Sequence, residues 1–344
     1  MIGSKVICPS CKKNSINDRY QTFWKCNECG EIYSCVNGIP KLYLEDSLGV
    51  ADKGLRDKVY KYMAWFYNFW NPFFMLPVRP IKISLKYWLV YFLLIFSFIF
   101  LGYKLIELIA FRGISDATII DFLYFAILAI LIFVFAKQPR YGYLLLLAIP
   151  IKIIVSMRNF VPKKSITRVH EEFLKEYIES DKKIKMLDIA CGTGQALARR
   201  GYLGLDGEYT GVDLSSGMIE QARQSLSDIG APTDFILTDA TNLPFQSETF
   251  DICTNYGALM GFNDPETALK EMTRVTKKGG KILILDEQEY ESSTWLEHIY
   301  YKKVFAYHNT IEKCPVNLFP EDLEDIQVNQ VYEFVFVCTA RKKI

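Results

Sequence analysis

The sequence predicts an α/β protein. A doubly wound, largely parallel sheet fills the C-terminal half, and a small cysteine-held module and an apolar helical hairpin precede it. Three observations carry this. Residues 165–344 alternate short apolar strands with helical patterns. Two Cys-x-x-Cys pairs lie near the N-terminus. Two nearly uncharged apolar runs separate that module from the alternating region.

Charge and composition narrow the classes of partner. Lys and Arg total 40 against 39 Asp and Glu, which argues against a broad polyanion-binding surface and makes a nucleic-acid partner unfavoured. Hydrophobic residues make up 50% of the 344 residues, and their excess is concentrated between Tyr87 and Val155. Of nine cysteines, four are paired and Cys35, Cys191, Cys253, Cys314 and Cys338 are scattered. An odd count with paired spacing reads as a metal site in a reducing compartment rather than a disulfide framework. No long apolar run follows a basic start in the first 84 residues, so no signal peptide is expected.

Residues 1–45 form the first module. They are too few to hold a large apolar core, so they need a staple, and "NGIP" (37–40) reads as a turn. Cys8-x2-Cys11 and Cys26-x2-Cys29 are separated by fourteen residues. Four thiolates in two such knuckles suit a tetrahedral, structural zinc. A redox dithiol is the competing reading. Cys35 is expected to be a core residue.

Residues 46–86 follow. Val59, Met63, Phe66 and Trp70 keep helical spacing up to the Asn71-Pro72 break, giving an aromatic helix suited to a membrane interface or to covering a pocket. Residues 87–136 contain an uncharged run at 87–103 and a run at 117–136 whose one charge is Asp121. Each approaches the roughly 20 residues that cross a bilayer, with Tyr and Trp at the ends. The pair is therefore expected to be a transmembrane hairpin, with a soluble apolar helical core as the alternative. Residues 137–164 include 141–155, which is short, carries Pro150 and Lys152, and reads as interfacial or buried. Basic residues flank the hairpin on both outer sides, and the loop 104–116 is balanced. The expected protein is thus multi-pass in a cell or organelle membrane, with both its ends facing the cytoplasm.

Residues 165–344 open on a Ser-capped helix (165–180). Strands are expected at 184–190, 209–213, 234–237, 249–254 and 280–286. In "KIKMLDIACGTG" (183–194) an apolar strand ends in Asp188 and a glycine-rich turn runs into a helix, where backbone can approach a ligand and free N–H groups meet it. Such a turn alone equally suits a dinucleotide pyrophosphate, although the spacing is not GxGxxG. In "YTGVDLSSGMIEQAR" (209–223) a strand ends in Asp213, whose carboxylate is placed to accept a ribose's hydroxyls. "DFILTDATNLPFQSETFDICTN" (234–255) adds a third strand followed by Asp239, and "FDICTNYGAL" (250–259) a fourth. "ALKEMTRVTKKGGKILILDE" (268–287) is a helix, a Gly-Gly turn and a fifth strand. Asp213 or Asp239 taken singly would be read as a helix N-cap.

These ordered motifs strongly resemble the class I S-adenosylmethionine-dependent methyltransferases over about residues 165–344. The resemblance implies a Rossmann-like seven-stranded sheet with one reversed strand supplied by a hairpin near 325–342. It implies that S-adenosylmethionine is bound by Asp188, Ala190, Gly192, Thr193, Gly194, Asp213, Leu214, Met218, Asp239, Ala240 and Asn255, with Asp239 toward the adenine amino group. Cys191 is read as a small turn residue and not a nucleophile. Thr193 is placed to cap the helix or to touch the methionine carboxylate. Asn255 and Tyr256 are acceptor-side candidates, with loop packing as the alternative. His298 and His308 lie after the fifth strand, where a surface role is the competing reading. The segment 23–43 resembles zinc-binding modules attached to some methyltransferases. Residues 60–74 resemble the aromatic lid of the ubiquinone/menaquinone-type and phospholipid enzymes, with a membrane-surface helix as the alternative. No general base is identified. The implied function is membrane-bound methylation of a lipid or isoprenoid-quinone-like acceptor. The alternatives are a membrane-tethered methyltransferase of protein or RNA, and a non-catalytic cofactor-binding sensor or scaffold.

Overall fold

The computed structural model describes residues 6–45, 48, 166–180, 182–199, 205–227, 233–289, 291, 293, 295–302, 312–332 and 334–344. The aromatic helix at 59–70, both apolar runs of the hairpin (87–103 and 117–136), the segment 141–155 and His308 lie outside them. Among the described residues, no helix is long and apolar enough to cross a membrane.

Two compact units divide the chain. The first gathers 1–76, 160–294 and 308–344, and the second 77–159 and 295–307. Of the second, the described part is chiefly a short helix, Trp295–Tyr300.

The first unit begins with a four-stranded antiparallel meander: β1 (Ile16–Arg19), β2 (Phe23–Cys26), β3 (Ile32–Val36) and β4 (Ile39–Pro40). Asn37 and Gly38, both at positive φ, make the two-residue turn between β3 and β4. Asn-Gly suits such a turn because neither residue resists the left-handed region. After α1 (Ile166–Ile178) come β5 (Ile184–Ile189), α2 (Gln195–Arg199), β6 (Gly207–Asp213), α3 (Ser216–Ser227), β7 (Thr233–Leu237), β8 (Phe250–Tyr256), α4 (Pro265–Val275), β9 (Thr276–Glu287), β10 (Leu323–Tyr332) and β11 (Val335–Lys342). The sheet order is β10-β11-β9-β8-β5-β6-β7. Strands β5 to β9 pair in parallel, and β11 runs antiparallel to both its neighbours. This is the expected seven-stranded Rossmann-like sheet with one reversed strand. The near-continuous apolar runs of β5, β8 and β9 follow from burial on both faces, with Met186, Leu187, Ile252, Cys253 and Leu283 fully buried.

Boundaries differ most at the fifth parallel strand. The Gly-Gly pair, read as a turn before a strand at 280, lies inside β9, which starts at Thr276. The ladder passes from Phe250↔Thr276 to Ile252↔Lys281 across an irregularity, so extra residues bulge out while pairing continues. Gly279 sits at φ +71, and a Cβ on Gly280 would lie 2.8 Å from the Lys277 carbonyl oxygen and 3.0 Å from that of Asp251. Both glycines are therefore demanded by the bulge and do not end the strand. Strand β8 runs two residues past its expected end, to Tyr256.

The cysteine module is part of the same core as the sheet, where the sequence suggested a separate domain. Lys41 bridges Leu237 in parallel and Val6 bridges Phe245 antiparallel. Leu42 N–H donates to Leu237 O at 2.7 Å, Ile7 N–H to Pro244 O at 3.0 Å, and Thr238 Oγ1 to Leu42 O at 2.9 Å. Val6, Ile16, Tyr33 and Leu42 share one apolar cluster with Ile236, Leu243 and Phe245. The module thereby covers the edge of β7, which would otherwise present unpaired backbone groups.

Candidate functional site

The carboxyl ends of β5, β6, β7 and β8 meet where the strand order turns back on itself, the place where open α/β sheets hold ligands. Four features build the site there.

The first is the turn after β5. Ala190, Gly192 and Gly194 all have positive φ, at 54°, 54° and 72°. Cys191 N–H reaches across to Val212 O at 2.9 Å, and Gly194 N–H bonds to Cys191 O at 2.9 Å. A Cβ at Gly194 would stand 3.1 Å from Leu226 Cδ1 and 3.2 Å from Ala222 Cβ, so this glycine lets the turn close onto α3. Thr193 is buried within the turn. Cys191 is buried as well, and burial keeps its thiol pKa well above the ordinary value. That suits a packing residue and not a nucleophile.

The second is Asp213 at the tip of β6. Its Oδ2 accepts from Gly192 N–H at 2.9 Å and its Oδ1 from Ser215 N–H at 2.8 Å. The carboxylate thus ties the β5 turn to the start of α3, and its remaining lone pairs are held in a fixed direction. Burial raises its pKa, against the opposing effect of those backbone bonds. Leu214 is half-buried against the core, and Met218 is buried in the first turn of α3, where its N–H bonds to Ser215 Oγ at 3.3 Å.

The third is Asp188, the penultimate residue of β5. It is 1% exposed. Thr254 Oγ1 donates to its Oδ1 at 2.7 Å, while Oδ2 has no hydrogen-bond partner, alone among the buried side-chain polar atoms of the described residues. A buried carboxylate oxygen in that state costs free energy unless something cationic or hydrogen-bonding meets it. Burial pushes the group up to about 7, with the Asp213 charge adding to the rise and the Thr254 bond opposing it. The α-ammonium of a methionyl group fits this oxygen, and Asp213 fits a ribose diol. The residues present therefore suit S-adenosylmethionine.

The fourth is the pair of loops that follow β7 and β8. Asp239 is buried and its Oδ1 accepts from Thr241 N–H at 2.9 Å, so it shapes its own loop after β7. Ala240 packs on the core. Asn255, expected as a cofactor or acceptor ligand, has its amide committed at both ends: Nδ2 donates to Ile189 O at 2.9 Å and Oδ1 accepts from Leu259 N–H at 3.0 Å. Its side chain braces β5 against the turn after β8. Tyr256, the last residue of β8, is partly exposed. His170 from α1 meets its hydroxyl, Nε2 to Oη, at 2.8 Å, with the rings 5.9 Å apart and 15° from parallel.

The reading of the sequence missed His170. Helix α1 runs along β8: Tyr177 Oη donates to Asp251 O near the start of the strand, and His170, two turns earlier, meets Tyr256 at its end. Nothing in the residue pattern distinguishes this histidine from any other on an amphipathic helix. His298, by contrast, is exposed and lies in the second unit.

The cysteine cluster is a separate candidate metal centre. The Sγ atoms of Cys8, Cys11, Cys26 and Cys29 all lie within 4.8 Å of one another. Cys8–Cys29 and Cys11–Cys26 are each 3.6 Å apart, near the roughly 3.8 Å edge of a tetrahedron with Zn–S bonds of about 2.3 Å. The knuckles repeat one design. Lys12 N–H bonds to Cys8 O, and Gly30 N–H to Cys26 O, at 2.8 and 3.0 Å, with Lys12 and Gly30 both at positive φ. Tyr33 Oη lies 3.0 Å from Cys8 Sγ and Ser15 Oγ 2.9 Å from Cys26 Sγ, the kind of outer contact that orients thiolate ligands.

Residues 187–284 match the family model described as a methyltransferase domain. The chain is similar to a demethylmenaquinone methyltransferase of Renibacterium salmoninarum, 40% identical over 102 residues covering 30% of this chain and 40% of that protein. It is also similar to a ubiquinone/menaquinone biosynthesis C-methyltransferase of Idiomarina loihiensis, 37% identical over 120 residues covering 34% and 47%. The chain thus spans less than half the length of these two relatives. Among solved structures, a phosphoethanolamine N-methyltransferase of Haemonchus contortus aligns at TM-score 0.41 and 17% identity, over 51% of this chain and 52% of that one. The chain carries an S-adenosylmethionine-dependent methyltransferase domain.

Proposed function

We propose that this protein is a membrane-bound enzyme that transfers the methyl group of S-adenosylmethionine to an isoprenoid-quinone-like or other lipid acceptor, with a structural zinc in its N-terminal module. The observation that carries the donor half is the unpartnered carboxylate oxygen of Asp188 beside the positive-φ turn and Asp213. The acceptor half is supported by the two similar proteins, a demethylmenaquinone methyltransferase and a ubiquinone/menaquinone biosynthesis C-methyltransferase. The apolar runs at 87–103 and 117–136 support placement at a bilayer, with the cysteine module and the methyltransferase domain on the cytoplasmic side.

When bound, S-adenosylmethionine supplies an activated methyl group with a good leaving group already in place, so alignment and exclusion of water supply most of the rate enhancement. The residues act accordingly. Asp188 neutralises and orients the amino-acid end, Asp213 holds the ribose, and the turn 190–194 permits close backbone approach. Asn255 keeps the β5 and β8 loops at fixed separation.

Incubating purified protein with methyl-labelled S-adenosylmethionine and membranes of its own source, then extracting with organic solvent, tests the proposal. Label in the lipid phase that disappears in Asp213→Ala is the expected result. Label confined to protein or RNA refutes the lipid acceptor, and cofactor binding without any label refutes turnover on these membranes.

A further inference from the structure

We propose that Tyr256 and His170 form a proton-accepting pair that ionises a hydroxyl of the methyl acceptor; this rests on the reading of the acceptor as a reduced, quinone-like ring. The pair is built by two distant parts of the chain, 86 positions apart. Tyr256 ends β8 at the carboxyl edge of the sheet, one residue beyond Asn255, whose amide is tied to the β5 strand end. The Tyr256 ring packs against the apolar cluster that also holds Cys191 of the turn after β5, at the carboxyl edge of the sheet where open α/β sheets take their ligands. Helix α1 is held to β8 by the Tyr177–Asp251 bond and to the neighbouring β9 by Lys281 Nζ donating to Phe173 O at 3.0 Å. That anchoring fixes His170, 4% exposed, behind the phenol. A partly exposed tyrosine whose hydroxyl meets a buried imidazole is suited to a relay, in which the phenol meets the reactant and the imidazole stores the proton.

A ring carbon becomes nucleophilic when the neighbouring hydroxyl loses its proton. With the imidazole neutral and its own proton on Nδ1, the Tyr256 hydroxyl donates to Nε2. The acceptor's hydroxyl proton moves to the Tyr256 oxygen as the Tyr256 proton moves to His170 Nε2. The carbon–methyl bond forms while the methyl–sulfur bond breaks, its electron pair staying on sulfur. The proton displaced from the ring carbon leaves to water, and the pair returns its proton to the acceptor oxygen. One proton is released per methyl transferred, and no oxidant or reductant is consumed. Tyr256 is the catalytic residue in this scheme, and His170 acts through it.

The test compares the intact wild-type chain with Tyr256→Phe and His170→Gln, using saturating S-adenosylmethionine and a dithionite-reduced demethylquinone analogue. A fluorinated analogue with a more acidic hydroxyl serves as the second acceptor. The pair predicts that Tyr256→Phe, which keeps the ring against His170, loses about 10²–10³-fold in kcat. KM for both substrates and the affinity for S-adenosylhomocysteine stay near wild type. His170→Gln keeps a hydrogen-bonding group but cannot hold the proton, and it loses less, about 10–100-fold. The fluorinated acceptor recovers much of the lost rate in both variants, an effect that a packing role would not produce. Unchanged kcat in Tyr256→Phe, or losses that ignore acceptor acidity, overturn the pair while leaving the quinone reading intact. A wild-type chain that methylates neither analogue overturns the acceptor reading itself, and the pair falls with it.

Discussion

Asp188 and Asp213 show what position in a motif does and does not reveal. Both were legible because each ends a strand before a glycine- or serine-rich turn. Their different duties were not. Asp213 has each oxygen anchored by one backbone N–H from a different loop, whereas Asp188 is left with one oxygen unmatched. Burial raises Asp188 from 3.8 to about 7. Because the folded value lies above the unfolded one, its contribution to ligand-free stability is fully present in acid and is lost as pH rises from about 4 to about 7. A cationic cofactor prefers the ionised form, so affinity for S-adenosylmethionine should rise across the upper part of that window. Thermal melts at pH 5.5 and 8, with and without cofactor, should show the larger ligand-induced shift at pH 8, and Asp188→Asn should flatten the difference. Asp213→Ala releases the Gly192 and Ser215 amides, and it should weaken cofactor binding by about 1.5–3 kcal/mol, measured by calorimetry. His170 shows the opposite limit. A single histidine with a partner 86 positions away leaves no local trace in the sequence.

At the scale of elements, the five parallel strands were legible from apolar runs and the closing hairpin only from the family resemblance, and the errors fell at ends and irregularities. The Gly-Gly pair in β9 looked like a terminator because glycine usually is one. The structure uses the two residues differently: Gly279 supplies a left-handed backbone, where a Cβ would meet only Ile344 Cγ1 at an ordinary 3.9 Å, and Gly280 supplies room at an ordinary φ. These duties separate by mutation. Gly279→Ala should cost about 1–2 kcal/mol, the strain of a left-handed alanine. Gly280→Ala should cost more, about 2–3 kcal/mol, because its Cβ meets backbone carbonyls that cannot swing aside. Urea unfolding curves for both variants check the order. Asn255 belongs to the same lesson: an amide at a strand end reads as a ligand, but its two ends were already claimed by Ile189 and Leu259.

For the whole molecule, the sequence divided the chain after residue 45, and the structure joins what it divided. Residue patterns carry no sign of the Leu42–Leu237 or Val6–Phe245 pairings, since partners so far apart leave each segment looking self-contained. The shared core predicts that the cysteine module and the sheet unfold together. Cys29→Ser, or exhaustive chelation, should remove about 3 kcal/mol or more and lower the melting temperature by roughly 6–12 °C. Cofactor affinity should fall with it, because the loop bearing Asp239 is braced by module contacts at Leu237, Thr238 and Pro244. Calorimetry with and without chelator reads both effects. The same joint orders events at the ribosome. Thr238 meets Leu42 across 196 positions, so at about 5–20 residues per second the newborn module waits roughly 10–40 s for the strand that completes it. Four thiols spend that interval without their apolar cover, and early capture of a metal ion would be what shields them from oxidation until the partner strand emerges.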